Sequence, residues 1–217
     1  MLANLFLHYA FDRWMQREHL DIPFERYADD AICHCQSEAQ AQKLRQALEQ
    51  RFADCGLQLH PQKTKVIYCQ DANRTSDYPE RSFDFLGYTF RPRSSINRDG
   101  EHFVSFLPAV SKQAAKRMRQ RVRRWRLHLR SDLDLDLEAI ATWVRPVLRG
   151  WVRYYGRFYP SKLRGELRTI DEFIVRWASR KYKRFRGRLM ARWKWLHALQ
   201  RRNLQLFAHW GLEPMAG

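Results

Sequence analysis

Phe24-Glu25-Arg26-Tyr27-Ala28-Asp29-Asp30 is the stretch on which the reading of this chain turns. It lies within residues 22–35, where two short strand-like runs meet at Asp29-Asp30, a pattern that predicts a hairpin with a two-residue turn. Two adjacent carboxylates at a hairpin tip offer hard oxygen donors to a divalent cation such as Mg²⁺. A two-metal phosphoryl-transfer site holds its ions ~3.5–4 Å apart and draws carboxylates from more than one strand, so a single turn supplies only part of it. For an isolated Asp-Asp pair, a solvated turn is the plain alternative.

Working outward, residues 2–14 carry Leu2, Leu5, Phe6, Tyr9 and Ala10 at helical spacing. Residues 38–55 predict a second helix with Ala41, Leu44, Leu48 and Phe52 on one face, stopped by Gly56. Strand-like stretches follow at 58–59, 65–69, 83–91 and 102–107. Cys33-His34-Cys35 lies in the second hairpin strand. Alternation there puts both thiols on one face without His34, which favours a core-facing pair over a metal site. The four cysteines form no CxxC pair, against a disulfide framework or zinc finger and in favour of a cytoplasmic setting.

Beyond Val110 the composition changes. Of 217 residues, the first 110 hold 13 Lys/Arg and 15 Asp/Glu, whereas residues 111–217 hold 27 and 8, a local net charge of +19. Seven of eight tryptophans lie in that second half. The whole chain carries +17 with a pI near 10.3, which makes a polyanion the expected partner, nucleic acid ahead of a membrane surface. No apolar run approaches the ~18 residues of a membrane span.

The second half reads as all helix. Ser111 caps a helix predicted to reach about Arg130, with Ala115, Met118, Val122, Trp125 and Leu129 as its apolar stripe. Lys116, Arg119, Arg123, Arg126 and Arg130 run beside that stripe, and Arg117, Arg121 and Arg124 flank its other side. Residues 112–131 contain no Asp or Glu, so this charge repels itself until a polyanion neutralises it. A helix over 137–158 buries Ile140, Val144, Leu148, Trp151 and Tyr155, with a kink expected at Pro146 and Arg145, Arg149, Arg153 and Arg157 in line. A third, capped by Ser161 and ending near Gly187, turns Leu163, Leu167, Ile170, Ile174 and Trp177 inward, and a fourth occupies 189–209. Trp193 and Trp195 are the candidates for exposed stacking on bases.

Tyr27-Ala28-Asp29-Asp30 resembles the Tyr-x-Asp-Asp box of reverse transcriptases, and alanine in second place after arginine resembles its group II intron form. Four further stretches resemble that family in order: Leu2-Ala3-Asn4-Leu5-Phe6-Leu7 before the box, the 56–65 segment with Lys63-Thr64, the primer-gripping Phe85-Leu86-Gly87-Tyr88, and Arg149-Gly150-Trp151-Val152-Arg153-Tyr154-Tyr155-Gly156 of the maturase-specific domain. The resemblance implies an α+β fold: the C-terminal part of a palm over 1–110, a helical thumb or maturase domain over 111–186, and a short basic helical tail over 187–217.

It further implies that Asp29 ligates both Mg²⁺ ions, that Asp30 supports the site, and that Lys63 serves the leaving pyrophosphate. Phe85, Leu86, Gly87 and Tyr88 would grip the primer end, with Gly87 permitting close backbone approach; a plain hairpin would bury Phe85 and Leu86. Lys112, Lys116, Arg119, Arg123, Arg126, Arg149, Arg153 and Arg157 are the candidate nucleic-acid contacts. Intron RNA and an RNA/DNA primer-template are the implied partners. The fingers, the first half of the palm and its metal-binding aspartate would precede Leu2, so the chain reads as the C-terminal half of an RNA-directed DNA polymerase, with a separate N-terminal half as a further partner. A non-catalytic RNA-binding splicing module and an inactive remnant of a decayed element are the alternatives.

Overall fold

The computed structural model describes residues 2–97, 99–129 and 136–212. The chain packs as two compact units: residues 1–68 with 78–80, and residues 69–77 with 81–217. The packing division therefore falls about 30 residues before the change of composition at 110, because the second sheet belongs with the helices.

In the first unit, α1 (Leu2–Leu7) and α2 (Arg13–Glu18) are joined through a π-helical turn at His8–Asp12, and together they fulfil the helix expected over 2–14. Of the five apolar residues at helical spacing, Ala10 alone is buried. Ala10, Phe11 and Met15 are buried, while Leu2, Leu5, Phe6 and Tyr9 stay exposed. The wider π turn rotates the face between the two helical segments, so one 3.6-residue stripe does not run through both. Strands β1 (Phe24–Tyr27) and β2 (Asp30–Cys33) pair antiparallel, with Tyr27 opposite Asp30. Helix α3 (Glu38–Asp54) starts at Ser37, whose hydroxyl accepts from the Gln40 amide, and ends before Gly56 in the left-handed region at φ +68°. Phe11, Met15, Ile22 and Leu44 form the core of this unit, with Cys33, Cys35, Leu48 and Phe52 against it.

The strands expected at 58–59 and 65–69 do not form. The 65–69 stretch gains one backbone bond of its own kind, Tyr68 N to the Glu80 carbonyl, and a strand without a ladder partner has no means of satisfying its amides in series.

In the second unit, β3 (Phe83–Phe85), β4 (Tyr88–Ile96) and β5 (His102–Val110) make an antiparallel sheet in that order. What looked like one strand over 83–91 is thus a hairpin. Helices α4 (Lys112–Trp125), α5 (Leu137–Tyr155), α6 (Pro160–Lys181) and α7 (Leu189–Arg202) surround one continuous apolar core. The stripes Ala115/Met118/Val122/Trp125, Ile140/Val144/Leu148 and Leu163/Leu167/Ile170/Ile174/Trp177 are all buried, as their spacing requires.

Helix ends depart from the sequence reading in several places, and α5 and α6 end at Tyr155 and Lys181 rather than near 158 and Gly187. Helix α4 stops at Trp125 because Arg126 turns left-handed, at φ +49°; Leu127 then takes the buried place and Leu129 is exposed. Residues 130–135, including Arg130, lie outside the described residues. Helix α6 starts with Pro160 in its first turn, where a missing N–H costs nothing, so Ser161 lies inside the helix rather than capping it. Helix α7 ends at Arg202, and Leu206, Phe207, His209 and Leu212 return to the core through turns rather than along a longer helix. Pro146 sits within α5 on its exposed side, and the helix is continuous through it.

Candidate carboxylate hairpin and nucleic-acid interface

The β1–β2 turn consists of Ala28 and Asp29; Asp30 already belongs to β2, one residue from the expected Asp29-Asp30 turn. Ala28 adopts φ +56°, a conformation that costs an L-residue ~1–2 kcal/mol. Arg26 holds it there. The Arg26 Nη1 donates to the Ala28 carbonyl at 2.7 Å, while Nε and Nη2 form a fork on the two Asp12 carboxylate oxygens, each at 2.6 Å. Both side chains are mostly buried, and the guanidinium holds the Asp12 carboxyl below its ordinary pKa. The sequence reading used Arg26 as part of a pattern and missed this clamp; an arginine at spacing 14 from an aspartate carries no periodic signal.

Asp29 and Asp30 are exposed on this turn. Lys63 is exposed in the turn that follows His60, and among the described residues no ion pair joins it to either aspartate. Nor do any three His, Cys, Asp or Glu side chains gather as a metal-holding group among the described residues. Asp12 is committed to Arg26, and Glu25 pairs with His34 on the opposite face from the thiols. Two exposed carboxylates thus fall short of the ligand set of a two-metal centre. Burial drives the Cys33 thiol up to about 12 and raises Cys35 as well, in keeping with a core-facing pair rather than thiolate ligands.

The second hairpin is built on Phe85-Leu86-Gly87-Tyr88. Phe85 pairs with Tyr88, and both turn residues are left-handed, Leu86 at +50° and Gly87 at +80°. Two positive φ angles in a two-residue loop are the type I′ signature, whose twist matches that of the flanking strands. A bulky residue rarely accepts this conformation, and Leu86 does so while exposed, contrary to a buried expectation.

The end of α5 holds the turn in place. The Tyr154 hydroxyl donates to the Leu86 carbonyl at 2.8 Å, and the Tyr88 hydroxyl donates to the Tyr154 carbonyl. Tyr88 is buried among the rings of Tyr154, Tyr155 and Phe158, which pushes its own pKa up to about 12. Thus Phe85-Leu86-Gly87-Tyr88 and the Tyr154-Tyr155-Gly156 end of the 149–156 stretch, separated by over 60 residues, form one assembly.

The arginine rows sort by surroundings. Arg119 is half-exposed and ion-paired with Glu166 of α6, which also takes Lys162 at 3.3 Å. Lys112, Lys116, Arg123, Arg126, Arg149, Arg153 and Arg157 are exposed, and among the described residues none pairs with a carboxylate. Trp193 and Trp195 pack partly buried on the core, with Arg168 over the Trp193 ring and Tyr182 and Phe185 against Trp195. Trp143 is the exposed tryptophan, edge-on to Trp125.

The comparison with known families agrees with this arrangement. Residues 1–90 match the family described as reverse transcriptase (RNA-dependent DNA polymerase), and residues 115–195 match the group II intron maturase-specific domain. No curated protein matches the chain. Among the described residues, no helix is long and apolar enough to cross a membrane. The two matches follow each other in the order in which the motifs occur, and between them they take in both hairpins and the helical core: the chain belongs to the group II intron reverse transcriptase/maturase family.

Proposed function

We propose that these 217 residues act chiefly as a nucleic-acid-binding body of an intron-encoded reverse transcriptase/maturase, its ligand intron RNA or an RNA/DNA primer-template. The observation that carries this reading is the set of exposed, acid-free arginines on α4 and α5. Arg123, with Lys112 and Lys116, supplies one row, and Arg126 follows just past the end of α4; Arg149 and Arg153 supply a second, with Arg157 just past the end of α5. Arginine suits bidentate phosphate contact and stacking on splayed bases. Arg119 belongs to this face through its tie to Glu166, as a bridge between helices.

Residues 111–186 serve as the thumb, and the Phe85–Tyr88 turn, which packs with them, serves as the primer grip. Asp29 and Asp30 are carboxylates of a Mg²⁺ site that requires at least one more acidic ligand, from another segment or chain, before it can transfer a nucleotidyl group. Lys63 stands ready for the leaving group only in that completed site.

Binding of structured RNA across a salt series tests the reading. If about 6–10 phosphates are neutralised, affinity falls ~10³–10⁵-fold between 50 and 200 mM salt on the duplex scale. Replacing Arg123, Arg149 and Arg153 with glutamine lowers both affinity and slope and leaves the fold intact, since none touches the core. Unchanged affinity and slope in that variant would reduce the rows to solvated charge. Wherever primer extension is measurable, Asp29→Asn abolishes most of it while RNA affinity holds.

A further inference from the structure

Strand β5 lies at the edge of its sheet, and its outer side is unpaired. Two bonds that bracket the β4–β5 ladder fix which amides point outward. At the tip the Asn97 amide donates to the Glu101 carbonyl at 3.0 Å, and at the base the Ser111 amide donates to the Gly87 carbonyl at 2.9 Å. With Ser95 opposite Phe103 and Arg93 opposite Ser105, the alternation of an antiparallel ladder makes the odd-numbered residues of β5 bond to β4. His102, Val104 and Phe106 therefore turn their N–H and C=O groups away from the sheet, and among the described residues no other backbone group takes them up.

Edge strands are commonly blunted by shortness, by charge or by proline. The opposite edge, β3, is three residues long and carries Asp84. Strand β5 is nine residues long, and His102–Val110 contains no Lys, Arg, Asp or Glu. Its one blunting residue, Pro108, is buried near the base, with no N–H to offer. Phe103 and Val104 are exposed near the open end, and so is Ile96, across the ladder from His102. An uncharged edge of aromatic and β-branched residues is a template for another extended chain.

This edge is complementary to itself. When Val104 faces Val104 of another copy, His102 of each copy faces Phe106 of the other, so all three outward-facing residues are used. A register two residues away sets Phe106 against Gly100 in the hairpin tip, or His102 against Pro108. Charge favours the same register. It lays Glu101 of the other copy beside Leu107, on the face where Arg91 flanks Leu107 from β4. Arg91 and Glu101 are both exposed, and among the described residues Arg91 meets no carboxylate. Two strand spacings, ~10 Å, would separate their backbones, within reach of two long side chains.

We infer that β5 is an interaction edge for a second copy of this chain, two β5 strands pairing antiparallel about Val104 to join two three-stranded sheets into one. The ladder is short, so the dimer is weak and reversible. It does not depend on the nucleic-acid reading. Each copy carries +17, so added salt screens their repulsion and strengthens the pairing, opposite in sign to its effect on nucleic-acid binding.

Sedimentation velocity on the nuclease-treated full chain tests the pairing over ~1–100 µM. The wild type passes from monomer to dimer as concentration rises, more readily in higher salt, and the Val104 and Phe106 amides gain protection from hydrogen exchange as it does so. Val104→Lys sets two like charges face to face and raises the dimer dissociation constant about tenfold. Val104→Thr keeps the β-branch and dimerises as the wild type does. Arg91→Glu weakens the dimer, and adding Glu101→Arg restores it, a rescue that a folding defect at Val104→Lys would not touch. A chain that stays monomeric throughout leaves the edge to a different polypeptide and overturns the inference. So does a dimer indifferent to both Val104→Lys and the charge swap, which would pair through another surface. A dimer seen only before nuclease treatment is two chains bridged by nucleic acid, and it overturns the inference as well.

Discussion

A Cβ built on Gly87 would lie 2.7 Å from the Tyr155 hydroxyl, so the ring of one helix occupies the space that any side chain at position 87 would need. Gly87 also sits at φ +80° and gives its carbonyl to the Ser111 amide at 2.9 Å, just where α4 is capped. Turn, strand end and helix start thus converge on one residue without a side chain.

Gly87→Ala should therefore destabilise the second unit by about 2 kcal/mol, from the left-handed backbone and the overpacked contact together. Thermal melts of Gly87→Ala with and without Tyr155→Phe separate the two parts. Removing the hydroxyl should recover the packing share and leave the backbone share. Equal losses in both backgrounds would mean that Tyr155 yields freely.

Arg126 predicts the reverse. At φ +49° after the last turn of α4, it occupies the place where glycine is favoured, so Arg126→Gly should raise stability by up to ~1 kcal/mol. Arg123→Gly, inside the same helix, should lower it by ~1 kcal/mol. Urea midpoints of the two variants should move in opposite directions.

The Asp12–Arg26 fork makes the carboxylate hairpin acid-sensitive. With the folded carboxyl titrating below its unfolded value of ~3.9, the stabilisation is complete above that value and is lost as pH falls through the lower folded pKa. Resonances of Ala28 and Asp29 should broaden or shift as pH falls below about 4, and Arg26→Gln should show the loosened spectrum already at neutral pH. An unaltered turn in Arg26→Gln would mean that strand pairing alone holds Ala28 left-handed.

Hydrogen exchange should rank the helices by what covers them. Leu2, Leu5, Phe6 and Tyr9 expose their apolar faces, whereas Leu163, Leu167, Ile170, Ile174 and Trp177 are sealed. Amides of α1 should exchange well before those of α6. Comparable protection in both would show that a second molecule covers α1 in solution.

Periodicity alone settled the parts of the fold that are local. Stripes on α4, α5 and α6, the Ser111 cap and the Gly56 stop each follow from spacing or from one residue's chemistry, and each is found. The charge division and the ordered motifs were equally legible, because they survive any arrangement of the elements.

Tertiary packing decided what spacing does not encode. Whether 65–69 becomes a strand depends on a partner strand, and none is in register; whether Arg119 is free depends on Glu166, which lies 47 positions away. Asp12 and Arg26 share no period, nor do Leu86 and Tyr154, yet these pairs shape the two turns that matter most. A side chain's neighbours along an element repeat with the backbone, and a sequence displays that repeat. Its neighbours across elements are fixed only when the chain closes on itself, so the two-residue turns were readable as turns, and what holds them in place was not.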